Sequence, residues 1–326
     1  MRVVYYLKIG DIMLEKVSKS KTLVASFLMI LAAFIWGTSF VAQSKGLEQI
    51  GNLTFLALRS YLAVVVLTPV SLFIHSKNKK KYGNGEHNEY KTFFSKTLLL
   101  GGLLCGTFVC LGSMSQQYGI ILSGVSKSGF LTTLYILIVP ILGIFLKKKV
   151  KTTTWFSVAI ALVGMYFLCM TAGSFSISKG DLFLILCAFF FSVQVMFVDH
   201  FVEKVEPVRL SLMQFAVSAV IATVGALLFE TVDFNAIKDA WFSIFYAGVL
   251  SSGVAFTLQV VSQKNLNPTV ASLIMSLESV FAALSGALFG ERLTGRETLG
   301  CILVFSAVIL AQIPLDAFFK KVKADK

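Results

Sequence analysis

Three formal charges lie inside long apolar segments of the chain: Arg59, Lys127 and Glu278. Glu278 lies about nine residues into the uncharged stretch that begins at Thr269, roughly 14 Å along a helix. At that depth a bilayer makes an acidic or basic side chain costly, by roughly 2.5–3.5 kcal/mol. Charges in such positions are retained when they are paired, hydrated or functional. We therefore expect all three to face a polar interior.

The three charges allow two interpretations. In the first, they line a water-filled cavity in which Lys127, with or without Arg59, attracts a carboxylate, while Glu278 binds an ammonium group or carries a coupling proton. In the second, Glu278 forms a structural ion pair with either Lys127 or Arg59, and the remaining base extends its charged end toward the interface. The sequence leaves both interpretations open.

Uncharged polar and aromatic residues extend the candidate site. Glutamine is costly in lipid, and among the glutamines of the apolar segments we select Gln43 and Gln259 as cavity residues. Trp36 and Tyr135 are the aromatic candidates for the cavity wall. Pro140 follows Tyr135 by about one turn, and its missing N–H predicts a kink that would act as a hinge. Helix packing and interhelical hydrogen bonding are the alternative roles for each.

No residue pattern indicates catalysis or metal binding. The histidines, His75, His87 and His200, are far apart in the sequence, and the five cysteines lie in apolar runs without CxxC spacing. An intramembrane enzyme would need a nucleophile–base pair or a metal cluster, and no His or Asp lies in the middle of an apolar segment to supply one. We predict no catalytic residues, no metal and no cofactor, and a protein that is not an enzyme.

Composition places the chain in a membrane. Of 326 residues, 56% are hydrophobic and only 14% charged, whereas soluble proteins have about 25% charged residues. Segments near the length of a membrane span must be helical, because lipid offers no partner for backbone groups. Ten such segments are predicted, at approximately 23–44, 53–74, 97–117, 123–146, 152–173, 181–200, 208–230, 241–262, 269–290 and 297–315.

The distribution of basic residues predicts the topology. With a cytoplasmic N-terminus, 22 of the 29 Lys and Arg residues fall on the cytoplasmic side and five on the other, as the positive-inside rule requires. Residues 1–22 and the basic tail 316–326 are then cytoplasmic, as is the loop 75–96. This topology explains the net charge of +12, together with contact between anionic lipid headgroups and residues 77–81. No nucleic-acid partner is predicted.

An internal repeat underlies the ten predicted helices. Residues 128–168 align without gaps on 271–311, which places Thr133-Leu-Tyr135 on Ser276-Leu-Glu278. The repeats cover 23–173 and 180–315, with five helices each, so the second enters the membrane from the opposite side. The predicted fold is an all-α membrane protein of two inverted-topology, five-helix repeats around a central cavity, an architecture typical of secondary transporters.

Several stretches resemble the EamA-type branch of the drug/metabolite transporter superfamily, in this order: Trp36-Gly-Thr-Ser-Phe-Val-Ala-Gln43, Phe55-Leu-Ala-Leu-Arg59, the segment from Gly124 to Pro140, Tyr246-Ala-Gly-Val-Leu-Ser-Ser-Gly253, Leu258-Gln-Val-Val-Ser-Gln263 and Ser276-Leu-Glu-Ser-Val-Phe-Ala-Ala. The resemblance implies helices 1–4 and 6–9 around a cavity, helices 5 and 10 outside it, and alternating access for small metabolites, often amino-acid export. One departure is Ser279, where many such repeats have proline.

These observations together predict a secondary active transporter, an exporter of small polar metabolites such as amino acids, in the plasma (inner) membrane. Proton coupling and a homodimer are both compatible with the sequence, and membrane lipids are the surrounding partner. Two alternatives stay open. One is a lipid-carrier or lipid flippase that uses the same fold, and the other is a non-transporting membrane receptor or assembly protein.

Overall fold

The structure, a computed structural model, describes residues 2–82, 92–148, 150–169, 178–288 and 294–312, without the side chains of 2–19, 81–82, 126–127, 168–169, 286–288 and 312. The regular elements in these ranges are helices: α1 Arg2–Leu47, α2 Asn52–Tyr82, α3 Lys96–Thr132, α4 Tyr135–Phe145, α5 Thr152–Cys169, α6 Lys179–Phe201, α7 Pro207–Phe229, α8 Phe234–Asp239, α9 Trp241–Phe245, the π-helix π1 Tyr246–Ala255, α10 Phe256–Gln263, α11 Pro268–Met275, α12 Leu277–Leu288 and α13 Gly295–Gln312.

The all-helical membrane class predicted from composition is confirmed in the described part of the chain. Eight helical segments there are long and apolar enough to cross a membrane, and a ninth, Thr152–Phe167, is apolar but shorter. The eight are Ser20–Leu47, Asn52–Lys80, Lys96–Val125, Ser128–Phe145, Lys179–Phe201, Pro207–Phe229, Trp241–Gln263 and Pro268–Ser285.

Helix starts follow the local sequence. Ser178 caps α6 by accepting a hydrogen bond from the Asp181 N–H, and the Asp181 carboxylate accepts the Ser178 N–H in return, which makes a capping box. Helices α7 and α11 both begin with proline, at Pro207 and Pro268, directly after a capping side chain. Proline suits the first helical position because the N–H that it lacks would have no partner there.

Two of the long segments are interrupted inside the bundle. Within α3, Gly124 has φ 80° and ψ 169°, a conformation outside the helical region, and the chain kinks there. A turn at Thr133 and Leu134 then separates α3 from α4, while a single residue, Ser276, separates α11 from α12. Both of these turns lie two residues before a side chain of interest, Tyr135 in one segment and Glu278 in the other.

Packing places the interrupted helices at the centre. The largest helix contacts join α3 with α6 and α7, α2 with α7, α5 with α13, and α1 with α12. Segment Pro268–Ser285 is the most buried of the eight long apolar segments. The main hydrophobic core includes buried residues of α4, α11 and α12 together with one face of α1.

Candidate functional site

A small cavity lies in the middle of the bundle. Its volume is about 30 Å³, which is room for two or three water molecules at roughly 10–15 Å³ each. Helices α1, α2, α3, α4, α6, π1, α10, α11 and α12 all contribute to its wall. The lining residues are Trp36, Ser39, Phe40, Gln43, Arg59, Ser113, Gln116, Thr132, Tyr135, Phe191, Gln194, Ser251, Phe256, Gln259, Met275 and Glu278.

Arg59 is held in this cavity by neutral acceptors. Its side chain is 3% exposed. The guanidinium donates from Nη1 to Gln43 Oε1 at 2.7 Å, from Nε to Ser252 Oγ at 2.9 Å and from Nη2 to Ser251 Oγ at 3.1 Å. These bonds satisfy part of the group and fix its plane, but they do not neutralise its charge.

The π-helix supplies two of those acceptors. Ser251 and Ser252 are consecutive residues, yet both hydroxyl groups reach Arg59. Segment π1 covers Tyr246–Ala255 inside the longer helical run Trp241–Gln263. A π-helix widens the turn and changes the angular step between residues, and such segments often mark functional sites. The π-helix therefore places two consecutive hydroxyl groups beside the Arg59 guanidinium. A regular α-helix would point these two side chains in different relative directions.

Glu278 is paired with a hydroxyl group. The Tyr135 O–H donates to Glu278 Oε1 at 3.0 Å, and the two side chains are 1% and 5% exposed. Their backbone positions are fixed by the interruptions that precede them. Thr133 Oγ1 donates to the Phe130 carbonyl oxygen at 2.8 Å, and Ser276 Oγ donates to the Leu273 carbonyl oxygen at 2.6 Å.

Two opposite charges therefore share one cavity without a direct ion pair between them. Both Arg59 and Glu278 line it. Among the described residues, neither has an oppositely charged partner. Of the two pairings that the sequence allows for Glu278, the one with Arg59 is not formed. The side chain of Lys127 lies outside the described residues, so the other pairing stays a prediction.

Two buried polar atoms at the cavity have no hydrogen-bond partner among the described residues. They are Trp36 Nε1, a donor, and Gln259 Oε1, an acceptor. The Trp36 ring packs edge-on against Phe256, with ring centroids 4.9 Å apart. An unpaired buried polar atom is costly, by about 1–3 kcal/mol. The cavity wall thus presents a donor and an acceptor to whatever occupies it.

Close helix contact brings α1 against Glu278. A Cβ atom at Gly37 would lie 2.6 Å from the Glu278 carbonyl oxygen and 2.7 Å from Phe281 Cβ. Only glycine tolerates this approach. Gly37 therefore lets the α1 residues Trp36 and Gln43 share a cavity with α12.

The structure brings six of the sequence-predicted site residues together: Trp36, Gln43, Arg59, Tyr135, Gln259 and Glu278 all line the cavity. Pro140 is buried in α4 but is not part of the wall, and the two interruptions of its segment lie before it, at Gly124 and at Thr133–Leu134. Its hinge role stays a prediction.

Sequence reasoning missed Ser251, Ser252 and Gln194. The two serines form a polar pair within an apolar span, beside Gly248 and Gly253. That pattern could have indicated that they belong to the site. Gln194 carried the same signal as Gln259, an amide inside an apolar helix. Hydropathy alone does not tell which amides face a cavity, because that depends on helix rotation.

Comparisons with known proteins agree with one another. A family model described as the EamA-like transporter family matches residues 23–170 and again 178–312. An uncharacterized transporter of Archaeoglobus fulgidus is 28% identical over 90% of this chain and 87% of its own length. YoaV, an uncharacterized transporter of Bacillus subtilis, is 24% identical over 86% of this chain and 94% of its own.

The fold also resembles a solved structure. A crystal structure with 16% sequence identity superposes with a TM-score of 0.71 and covers 89% of this chain and 96% of that one. At this identity the similarity concerns the fold alone.

Proposed function

Because the chain belongs to the EamA-like transporter family, we propose that it moves small polar metabolites, with amino acids as the best candidates, by alternating access through the central cavity. The observation that carries the proposal is the separation of Arg59 from Glu278 within one cavity. A zwitterion offers a carboxylate to the first and an ammonium group to the second. Its binding would compensate both buried charges at once.

The energetics favour a charged occupant. Each intramembrane charge costs roughly 2.5–3.5 kcal/mol at the helix centre, and among the described residues both charges have neutral hydrogen-bond partners. Carboxylates bind guanidinium groups through two parallel N–H···O bonds. Gln43, Ser251 and Ser252 hold the Arg59 guanidinium in place for such a contact, so we assign them a positioning role.

The small cavity volume supports alternating access. A space of about 30 Å³ holds a few waters but no amino acid. Substrate entry therefore requires helices to move apart, and exit requires the same at the other end. The interruptions at Gly124, Thr133–Leu134 and Ser276 are points where helical segments can rotate separately, and we propose Pro140 as a further hinge.

Matching interruptions support the inverted-repeat architecture of ten spans, which we propose for the whole chain. Thr133-Leu-Tyr135 and Ser276-Leu-Glu278 occupy equivalent positions in the alignment of the two halves, and each contains a helix interruption. Tyr135 and Glu278 then hydrogen-bond to each other. Discontinuous helices that meet at a central site are typical of transporters with inverted repeats.

The remaining elements of the proposal rest on the sequence. They are export as the direction, the plasma membrane as the location, a carboxylate-attracting role for Lys127, and Glu278 as the carrier of a coupling proton. The charged and amide lining fits a small polar solute better than a lipid tail, which would need a continuous apolar groove.

The test is a solute screen in proteoliposomes, with and without a pH gradient, using radiolabelled amino acids and a fluorescent lipid. We expect amino-acid movement that the gradient accelerates. Glu278→Gln, which keeps the size of the side chain, should abolish the effect of the gradient, while the exposed control Glu48→Gln should keep it. Unchanged transport and pH dependence in Glu278→Gln would exclude this role, and movement of the lipid alone would identify a flippase.

A further inference from the structure

A second cavity lies at one end of the bundle, where α10 ends and α11 begins. The second cavity is a cleft of about 340 Å³, and we call it the lysine vestibule. Its wall combines basic residues with carboxylates and amides from several elements. Its lining includes Lys21, Lys148, Asp199, Glu203, Gln263 and Lys264.

A ladder of buried amides connects the central cavity with the lysine vestibule. Gln259 Nε2 donates to Gln194 Oε1 and to Gln263 Oε1, both at 3.1 Å. Gln263 Nε2 donates in turn to the Val195 carbonyl oxygen at 3.0 Å, and Gln194 Nε2 donates to Gln214 Oε1 at 3.2 Å. Gln259 lines the central cavity and Gln263 lines the vestibule, so one hydrogen bond joins the two spaces.

Two amide atoms of the ladder lack a hydrogen-bond partner among the described residues. They are Gln259 Oε1 and Gln214 Nε2, although both side chains are fully buried. An unsatisfied amide in such a ladder costs stability unless a ligand or water supplies the missing partner. Because Gln259 also lines the central cavity, its free oxygen suits a donor that passes between the cavity and the vestibule.

An ion pair lies in the wall of the same vestibule. Lys148, just after α4, pairs with Asp199 near the end of α6. The side chains are 35% and 15% exposed. The pair joins the segment that carries Tyr135 to the helix that carries Gln194. Separating these two elements would therefore break the ion pair and widen the vestibule that both residues line.

We propose that the amide ladder Gln194–Gln259–Gln263 is the substrate path between the central cavity and the lysine vestibule, and that the Lys148–Asp199 ion pair is its gate. The inference rests on the proposed transport function, and for an exporter it makes this path the entry route from the cytoplasmic side to that site. Amides suit a zwitterion because each presents both a donor and an acceptor. They also bear no charge that would trap it.

Cysteine accessibility tests the path without a known substrate. The probe is a membrane-impermeant, positively charged methanethiosulfonate reagent, applied to membrane vesicles from the face that carries the vestibule. The variants are Gln263→Cys and Gln259→Cys. Lys264→Cys in the vestibule is the positive control, and Gln117→Cys is the matched negative control because Gln117 is fully buried but lines neither space. Labelling of the parent chain gives the background from its native cysteines.

We expect labelling of Gln263→Cys, slower labelling of Gln259→Cys and none of Gln117→Cys. Adding Lys148→Gln or Asp199→Asn should accelerate labelling of Gln259→Cys by roughly three- to fivefold, as expected for loss of a partly exposed ion pair. The exchange Lys148→Asp with Asp199→Lys should restore the slow rate.

Labelling of Gln259→Cys that stays as low as that of Gln117→Cys in the ion-pair variants would overturn the path, as would access from the opposite face alone. Size-exclusion profiles of each variant exclude misfolding as the cause. The outcome is independent of the solute screen, so a failed path and a failed transport function are distinguishable.

Discussion

Arg59 has more hydrogen-bond donors than its protein partners use. A guanidinium group carries five N–H donors in one plane, and Gln43, Ser251 and Ser252 accept three of them. The remaining donors match the two oxygens of a carboxylate. At the scale of the residue, the site is a cation whose orientation is already fixed before a ligand arrives, which reduces the entropy lost on binding.

Arg59→Lys therefore gives the first residue-scale prediction. Lysine keeps the charge but cannot contact three separate acceptors in one plane. We expect the initial transport rate in proteoliposomes to fall roughly ten- to a hundredfold, the equivalent of losing one charge-assisted hydrogen bond. Arg296→Lys is the control, since Arg296 rests on Tyr166 in α5, with its guanidinium carbon 5.2 Å from the ring centroid. Equal rates for the two variants would contradict the assigned role.

At the scale of the element, the helix interruptions determine where the site residues lie. Gly124 kinks α3, Thr133–Leu134 ends it, and Ser276 separates α11 from α12 without the proline that many related repeats have near that position. Ser276 and Ser279 donate to the carbonyl oxygens of Leu273 and Ser276, respectively. Hydroxyl groups that bond back to the helix backbone favour such bends.

Gly124→Ala tests the kink. The backbone conformation at Gly124, φ 80° and ψ 169°, is essentially restricted to glycine, and a side chain there costs about 1–3 kcal/mol. We expect a lower midpoint of thermal unfolding in detergent. Gly129→Ala is the control, because Gly129 is helical and an added Cβ would meet nothing within 4 Å; its stability should be unchanged or slightly higher. A similar loss in both variants would argue against backbone strain.

Glu230 gives a second element-scale prediction. Its carboxylate oxygens accept the N–H groups of Leu53 and Thr54 at 2.8 Å, so the end of α7 caps the start of α2. Glu230→Gln removes one acceptor and the charge that favours a helix N-terminus. We expect a loss of about 1–2 kcal/mol in the free energy of unfolding. Asp233→Asn, at the exposed start of the short α8, should cost less than half as much.

At the scale of the whole molecule, the loops collect at two ends. Lys21, Lys148, Glu203 and Lys264 line one cleft. A second cleft, of about 690 Å³, is lined by residues between Gln49 and Thr54 and between Leu228 and Ala236. The topology predicted from basic residues places the first group in the cytoplasm and the second outside. The central cavity lies between the two clefts, as an alternating-access mechanism needs.

This arrangement predicts the sidedness of labelling. Single cysteines at Lys21 and Lys264 should react with an impermeant thiol reagent only in inside-out vesicles. Cysteines at Gln49 and Asp239 should react only in intact cells, because an even number of spans separates sites on the same side. All four positions are exposed, so failure to react would not be a matter of burial. Labelling of Lys21→Cys and Lys264→Cys from opposite sides would contradict the ten-span topology.

The sequence by itself determined the all-helical membrane class and the short set of costly polar residues, because hydropathy and charge act locally along the chain. The family resemblance read from its motifs is confirmed. Only the tertiary structure decided which polar groups meet. Arg59 donates hydrogen bonds to Ser251 and Ser252, which lie 192 and 193 residues further along the chain. Tyr135 donates to Glu278, which lies 143 residues further along. Such contacts depend on helix rotation, on the π-helix and on the interruptions, all of which arise from packing between distant segments rather than from any local pattern.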